Sequence, residues 1–80
     1  MEKYTEVEKQ YLIKLGNAIR TTRKSKGLTQ QNIAALCDSE KANLSRIESG
    51  KTNSTIITLK KIADVMQVPI ADLLGIGFPL

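Results

Sequence analysis

The sequence predicts a compact all-α fold of five helices with a long first helix, and three observations support this prediction. Helix-favouring residues such as leucine, alanine, lysine and glutamine are abundant. No segment alternates strictly between apolar and polar residues, as a half-buried strand does. Apolar residues recur instead at steps of three and four. Because 80 residues are enough for one small core, we expect a single domain over residues 1–80.

The first helix is predicted to begin after Thr5 and to continue to about Lys26. Thr5 and Glu8 have the spacing of a capping box, in which each side chain accepts a hydrogen bond from the other residue's main-chain N–H. Gly27 can adopt the left-handed conformation that ends a helix. The apolar residues predicted to face the core are Val7, Tyr11, Leu12, Leu15, Ala18 and Ile19.

Two short helices, at about residues 30–37 and 41–49, are predicted to follow. Thr29 can cap the first, the Asp38–Ser39 pair suits a turn and a cap, and Gly50 can end the second. Helices this short are marginally stable alone, so both must pack on the rest of the chain. The residues predicted to face inward are Ile33, Ala34 and Cys37 in the first helix, and Leu44 and Ile47 in the second.

A fourth helix capped by Ser54 or Thr55, and a fifth with Pro69 in its first turn, complete the predicted bundle. The fifth helix is expected to end near Leu74. Residues 75–80 are predicted to form a short, irregular apolar tail. The inward face of the fourth helix is predicted to consist of Leu59, Ile62, Ala63 and Met66.

Composition argues against several function classes. The chain has no histidine and a single cysteine, Cys37, so it lacks the commonest general base and a thiolate cluster for zinc. We therefore expect neither enzymatic activity nor a metal or other cofactor. Cys37 is expected to be a small buried apolar residue rather than a redox switch. A polar start and the lack of a long apolar run predict a cytoplasmic protein without a membrane segment.

The net charge of +4 is unevenly distributed, because no acidic residue occurs between Glu8 and Asp38. A one-sided basic field suits partners that carry phosphate groups. A solvated helix face is an equally good interpretation of the charge alone. The cations in this interval are Lys9, Lys14, Arg20, Arg23, Lys24 and Lys26.

The outer face of the third helix follows from its inner face. If Leu44 and Ile47 point inward, a rotation of about 100° per residue sends small and cationic side chains outward. Such a lean face fits the major groove of DNA, where arginine binds guanine and an alanine methyl meets a thymine methyl. The alternative is a face that only contacts solvent. The outward residues are Lys41, Ala42, Ser45, Arg46 and Ser49.

Four segments in one register, GLTQQNIA at 27–34, NLSRIESGK at 43–51, LKKIA at 59–63 and VPIADLL at 68–74, resemble the phage repressor/Cro (XRE-like) helix-turn-helix family. The resemblance covers roughly residues 15–74. It implies a five-helix bundle of the lambda-repressor-like type. It also implies a sequence-specific regulator of transcription that binds double-stranded DNA. We expect a repressor that binds an inverted-repeat operator as a homodimer.

The resemblance also implies roles for individual residues. Arg23 and Glu48 correspond to an internal ion pair of the family, with a structural role. The residues expected to contact bases are Lys41, Ala42, Ser45 and Arg46. The residues expected to contact phosphates are Arg20, Thr29, Gln30, Lys51, Thr52 and Asn53. Arg20 is included because, unlike Arg23, it is not assigned to the ion pair. In this division, phosphate contacts fix the register and base contacts specify the sequence.

Three positions depart from what this family and a DNA-reading role favour. Asp38 stands where a left-handed glycine is usual, and aspartate tolerates that conformation better than most residues. Ser54 stands where proline is frequent, and serine can still cap a helix. Glu40 suits the start of the third helix electrostatically but repels phosphate.

The dimer contact is expected to involve the fifth helix and the tail, through Leu73, Ile76, Phe78 and Leu80. Tyr4 precedes the first helix and is open to two interpretations, packing on that helix or contact with a partner. A second hypothesis for the whole chain is a protein-interaction module, antitoxin-like or polymerase-binding, with weak or no DNA binding. The nearly neutral charge balance after Gly27 is compatible with it.

Overall fold

The computed structural model describes residues 3–75, and over this range it consists of helices and connecting turns without a strand. The all-α prediction is therefore confirmed. Ile76, Phe78 and Leu80, expected in a dimer contact, lie outside the described residues. No helix between residues 3 and 75 is long and apolar enough to cross a bilayer. The helices are α1 (Glu6–Ser25), α2 (Gln30–Leu36), α3 (Lys41–Glu48), α4 (Ile56–Met66) and α5 (Ile70–Leu74).

Helix α1 begins with the predicted capping box. The Thr5 hydroxyl oxygen accepts a hydrogen bond from the Glu8 main-chain N–H at 3.1 Å, and Glu8 Oε1 accepts one from the Thr5 N–H at 2.9 Å. The helix ends at Ser25, and Gly27 follows with a φ of 71°. This is the left-handed stop that the sequence predicted.

The turn between α2 and α3 is made by Asp38, whose φ of 53° lies in the left-handed region. Ser39 does not cap α3. Its hydroxyl instead accepts a hydrogen bond from the Asn43 amide at 3.3 Å, and Glu40 is the N-cap without a side-chain hydrogen bond. At the start of α2, Thr29 is the predicted cap and exchanges two hydrogen bonds with Asn32.

Helix α4 is capped by Thr55 rather than Ser54, because the Thr55 hydroxyl oxygen accepts a hydrogen bond from the Thr58 N–H at 3.2 Å. Pro69 is the N-cap of α5, one residue before the helix. The inward faces predicted for α3 and α4 are confirmed. The core consists of Leu15, Ile19, Ile33, Leu44, Ile47, Leu59, Ile62, Ala63, Met66 and Leu73.

The prediction was wrong for the first turns of α1. Val7 is 79% exposed and Tyr11 is 37% exposed, so the buried part of the apolar stripe begins only at Leu15. The hydroxyl of Tyr11 donates a hydrogen bond to the Leu74 carbonyl oxygen at 2.6 Å. This bond joins α1 to the end of α5.

Leu73 is not a free interface residue, as the dimer prediction had assumed. It is fully buried within the core of its own chain. A second protomer therefore has no access to it while the fold is intact. Its position follows from the packing of α5 on both α4 and α1.

Gly16 allows α1 and α3 to approach closely. A Cβ atom built on it would overlap the main-chain carbonyl groups of Ile47 and Glu48. Because main-chain atoms at a helix end cannot rotate away as a side chain can, only glycine fits this crossing. The crossing fixes the carboxyl end of α3 against α1.

Candidate nucleic-acid interface

The four residues expected to contact bases lie side by side on the outer face of α3. Lys41, Ala42, Ser45 and Arg46 are all exposed, while Leu44 and Ile47 on the opposite face are buried. Within residues 3–75 none of these four side chains makes a hydrogen bond or an ion pair. Their functional groups are therefore available to an external ligand.

The carboxyl end of α3 is anchored by a buried ion pair. Arg23 Nε donates to Glu48 Oε2 at 2.7 Å, and Arg23 Nη2 donates to Glu48 Oε1 at 3.0 Å. The third guanidinium nitrogen, Nη1, donates to the Leu28 carbonyl oxygen at 3.0 Å. Arg23 and Glu48 are buried, so their two-point contact holds α3 against α1. The third bond joins α1 to the loop before α2.

Two of the residues expected to contact phosphates also lie against the Glu48 carboxylate. Gln30 Nε2 donates to Glu48 Oε1 at 3.0 Å, and Arg20 Nε lies 3.7 Å from that oxygen. A side-chain amide has two N–H groups, so one remains on Gln30 for another acceptor. Two guanidinium groups lie beside one carboxylate, so the cluster has a net charge of about +1. The guanidinium group that solvent can reach is that of Arg20, whose side chain is 46% exposed.

The same contacts determine how the ion pair titrates. Burial alone would raise the pKa of Glu48, but hydrogen bonds from Arg23 and Gln30, with the charges of Arg23 and Arg20, lower it overall. The hydrogen bond to Glu48 raises the pKa of Arg23 against the opposing effect of burial. The pair is therefore charged over the whole neutral range.

The remaining expected phosphate contacts lie at two turns. Lys51 and Asn53 are exposed and Thr52 is half-buried in the loop after α3, where the Lys51 N–H donates to the Arg46 carbonyl oxygen at 3.0 Å. Thr29 is exposed, and its hydroxyl oxygen accepts the capping bond of α2. Its hydroxyl hydrogen remains available to donate.

Sequence reasoning assigned Gln30 and Arg20 to phosphate contacts and Glu48 to the ion pair, and it missed the contact that joins all three. The available signal was weak, because Gln30 and Glu48 are 18 positions apart. It also missed Gly16, for which a signal existed. A glycine within an amphipathic helix, between Leu15 and Ile19 on the buried side, indicates a close approach by another main chain.

Cys37 lies half-buried at the end of α2, less enclosed than expected. Burial raises the pKa of its thiol, although the charge of Lys61 acts in the opposite direction. A raised pKa disfavours the reactive thiolate at neutral pH. Cys37 therefore contributes apolar packing beside the core.

This geometry is accompanied by a clear relationship to known proteins. The profile of the helix-turn-helix family matches residues 19–73 of the chain. The chain belongs to the helix-turn-helix family of DNA-binding transcriptional regulators. It is 34% identical over 62 residues to the control protein C.MunI of a Mycoplasma species, a match that spans 76% of this chain and 84% of that protein.

Two solved structures share the fold of this helix-turn-helix chain. The restriction-modification controller protein C.AhdI from Aeromonas hydrophila is 27% identical, with a TM-score of 0.75 over 78% of this chain and 94% of its own. The clp gene regulator ClgR from C. glutamicum is 26% identical, with a TM-score of 0.78 over 80% of this chain and 82% of its own. The lambda-repressor-like architecture inferred from the sequence is therefore confirmed.

Proposed function

We propose that the protein is a repressor that binds double-stranded DNA sequence-specifically, as a homodimer on an inverted-repeat operator. One observation carries the proposal: α3 is fixed at its carboxyl end by Glu48, while Lys41, Ala42, Ser45 and Arg46 project from it without partners among the described residues. A rigid helix with free donors on its outer face is what reading a major groove requires.

The chemistry of the four side chains suits base edges. Arg46 can donate two parallel hydrogen bonds to guanine O6 and N7, and Lys41 can donate to the same acceptors. Ala42 offers a methyl group to the methyl of thymine, and Ser45 can donate or accept. Each of these contacts requires α3 to lie in the groove with its exposed face towards the bases.

Three of the proposed phosphate-contacting residues are linked to α3, two by hydrogen bonds and Arg20 by an ion pair. Gln30 and Arg20 share Glu48 at the end of the helix, and Lys51 is joined to Arg46 by a main-chain hydrogen bond. Phosphate contacts from these residues would therefore set the depth and angle at which α3 enters the groove. Thr29, Thr52 and Asn53 complete the proposed set.

A homodimer places two copies of α3 about 34 Å apart on one face of the duplex. Since Leu73 is enclosed in the core, the exposed Ile56 and Ile57 in the first turn of α4 are better candidates for the contact between protomers. Two residues, Ser54 and Thr55, separate them from the proposed phosphate-binding loop. Ile76, Phe78 and Leu80 remain part of the proposed interface. The double substitution Ile56→Ser and Ile57→Ser should shift the monomer–dimer equilibrium, measured by sedimentation equilibrium, towards the monomer.

The genes under control are proposed to belong to a restriction-modification system. Support comes from the names of two relatives, a control protein and a restriction-modification controller protein. ClgR, named as a clp gene regulator, has the same fold, so the fold alone does not fix the target. Protection of the DNA upstream of adjacent nuclease and methyltransferase genes is the expected footprint.

Selection of duplexes from a random pool tests the central proposal. We expect the bound sequences to converge on an inverted repeat, with affinity that falls steeply as salt increases because phosphate binding releases counterions. A protein that enriches no sequence, or that binds a protein partner with little salt dependence, would instead support the interaction-module hypothesis.

A further inference from the structure

A shallow groove at the entry to α1 brings the amino-terminal segment beside the loop after α3. Its lining combines Lys3 and Tyr4 from the first with Lys51, Thr52 and Asn53 from the second. Residues with two ammonium groups, two hydroxyl groups and a side-chain amide thus meet at one place, although the two segments are far apart in the chain. No carboxylate is among the described residues that line it.

Tyr4 lines two neighbouring grooves at this place. It is half-buried, and it also lines an adjoining groove with Glu8, Leu12 and Asn53. The Glu8 carboxylate in that groove accepts the capping hydrogen bond from the Thr5 N–H. Tyr4 therefore borders both the first turns of α1 and the loop after α3.

Lys3 is placed by the same ring. Its Nζ lies 5.5 Å from the centroid of the Tyr4 ring, within the range of a cation–π contact. Lys3 is exposed and lines the same groove as Lys51, which is also exposed. Two cations on one groove attract an anionic oxygen and repel each other when it is absent.

We propose that this groove binds a backbone phosphate of the operator duplex, with Lys3 and Lys51 as its cationic groups and Tyr4 as the positioning residue. The inference rests on the proposed function, in which Lys51–Asn53 forms a phosphate-contacting loop. It extends that contact to a segment outside the helix-turn-helix motif. A phosphate contact adds affinity that is independent of base sequence.

The test is the salt dependence of binding by the full chain, measured on the selected duplex and on a random duplex. Lys3→Gln should reduce the slope of log K against log salt by about 0.9, since one fewer counterion is released, and should weaken both duplexes by the same factor. Tyr4→Ala should reproduce the effect and Tyr4→Phe should not, because the phenylalanine ring keeps the segment in position.

The matched control is Lys60→Gln, which removes the same charge from the exposed outer side of α4, where Lys60 pairs with Asp64. The slope of log K against log salt for Lys60→Gln should equal that of the wild type. Circular dichroism should show that all variants are folded. If the wild type binds DNA and Lys3→Gln leaves the slope unchanged, the groove proposal is wrong and the proposed function stands. If the wild type binds no duplex, the proposed function itself fails.

Discussion

Arg23 and Glu48 form two parallel hydrogen bonds across the interface of α1 and α3, at 2.7 and 3.0 Å, with both side chains buried. The carboxylate receives a third bond from Gln30. Three of the helices therefore meet at one acidic group, whose desolvation is offset only while its donors are present.

Arg23→Met should lower the free energy of unfolding by about 3 to 5 kcal/mol, because it strands the buried Glu48 carboxylate. Urea denaturation followed by circular dichroism measures this loss. Lys60→Met is the control for an exposed ion pair and should cost about 1 kcal/mol or less. Adding Glu48→Met to Arg23→Met should recover part of the stability. An effect of Arg23→Met as small as the control would contradict the structural role of the pair.

Stability should fall in acid because of Glu48. The contacts of the folded state lower the pKa of this carboxyl below its value in the unfolded chain. The stability that the ionised Glu48 contributes is therefore complete above the ordinary glutamate pKa of about 4.3. It is lost as the pH falls through the folded value. The free energy of unfolding measured against pH should therefore decline less steeply in Glu48→Gln than in the wild type. Parallel curves for the two proteins would exclude this origin.

Arg46→Ala should weaken binding to the selected operator by about 1 to 3 kcal/mol and relax the preference at one base pair. Lys51→Ala should weaken matched and mismatched duplexes by similar factors, because phosphates carry no sequence information. Fluorescence anisotropy with a series of single-mismatch duplexes separates the two patterns. Equal losses for both variants on every duplex would refute the division of roles.

Gly16→Ala should destabilise the fold, although alanine favours helices by about 1 kcal/mol over glycine. The new methyl group would overlap the carbonyls of Ile47 and Glu48, and overpacking costs about 1 to 3 kcal/mol or more when the neighbours cannot move. Thermal unfolding measures the change. Asn17→Ala, at the adjacent exposed position, should be neutral or slightly stabilising. A gain in stability at Gly16 would contradict the close crossing of α1 and α3.

Tyr11→Phe should cost about 0.5 to 1 kcal/mol, the usual net value of one hydrogen bond, because the Leu74 carbonyl loses its donor at 2.6 Å. The hydrogen-exchange rates of the α5 amides should also rise in this variant, since the bond joins the end of α5 to α1. The Tyr4→Phe variant provides the comparison for removal of a phenolic hydroxyl. Unchanged exchange in α5 would show that the bond contributes little.

The parts of the fold that the sequence predicted are local. The capping box of α1, the left-handed Gly27 and Asp38, and the buried faces of α3 and α4 all depend on residues within a few positions of one another. Thr29 shows the same principle at α2, although its partner Asn32 was not foreseen. The five outward positions predicted for the third helix, Lys41, Ala42, Ser45, Arg46 and Ser49, followed from this local periodicity and are all exposed.

The parts that could not be predicted depend on which helices cover each other. Val7 has the right spacing for the core but lies where no described element covers it, whereas Leu73 resembles a free apolar residue and is enclosed by packing of α5. The contact of Gln30 with Glu48 joins positions that come together only after α2 and α3 have packed. Such contacts are set by tertiary structure rather than by propensity.

The separation between the anchored and the exposed sides of α3 has a consequence for redesign. Since Lys41, Ala42, Ser45 and Arg46 make no side-chain hydrogen bond or ion pair within residues 3–75, other polar residues can replace them with little thermodynamic penalty to the scaffold. A library randomised at these four codons should therefore consist mostly of folded variants. New operators could then be assigned to this scaffold by changing one helical surface and leaving its supports intact.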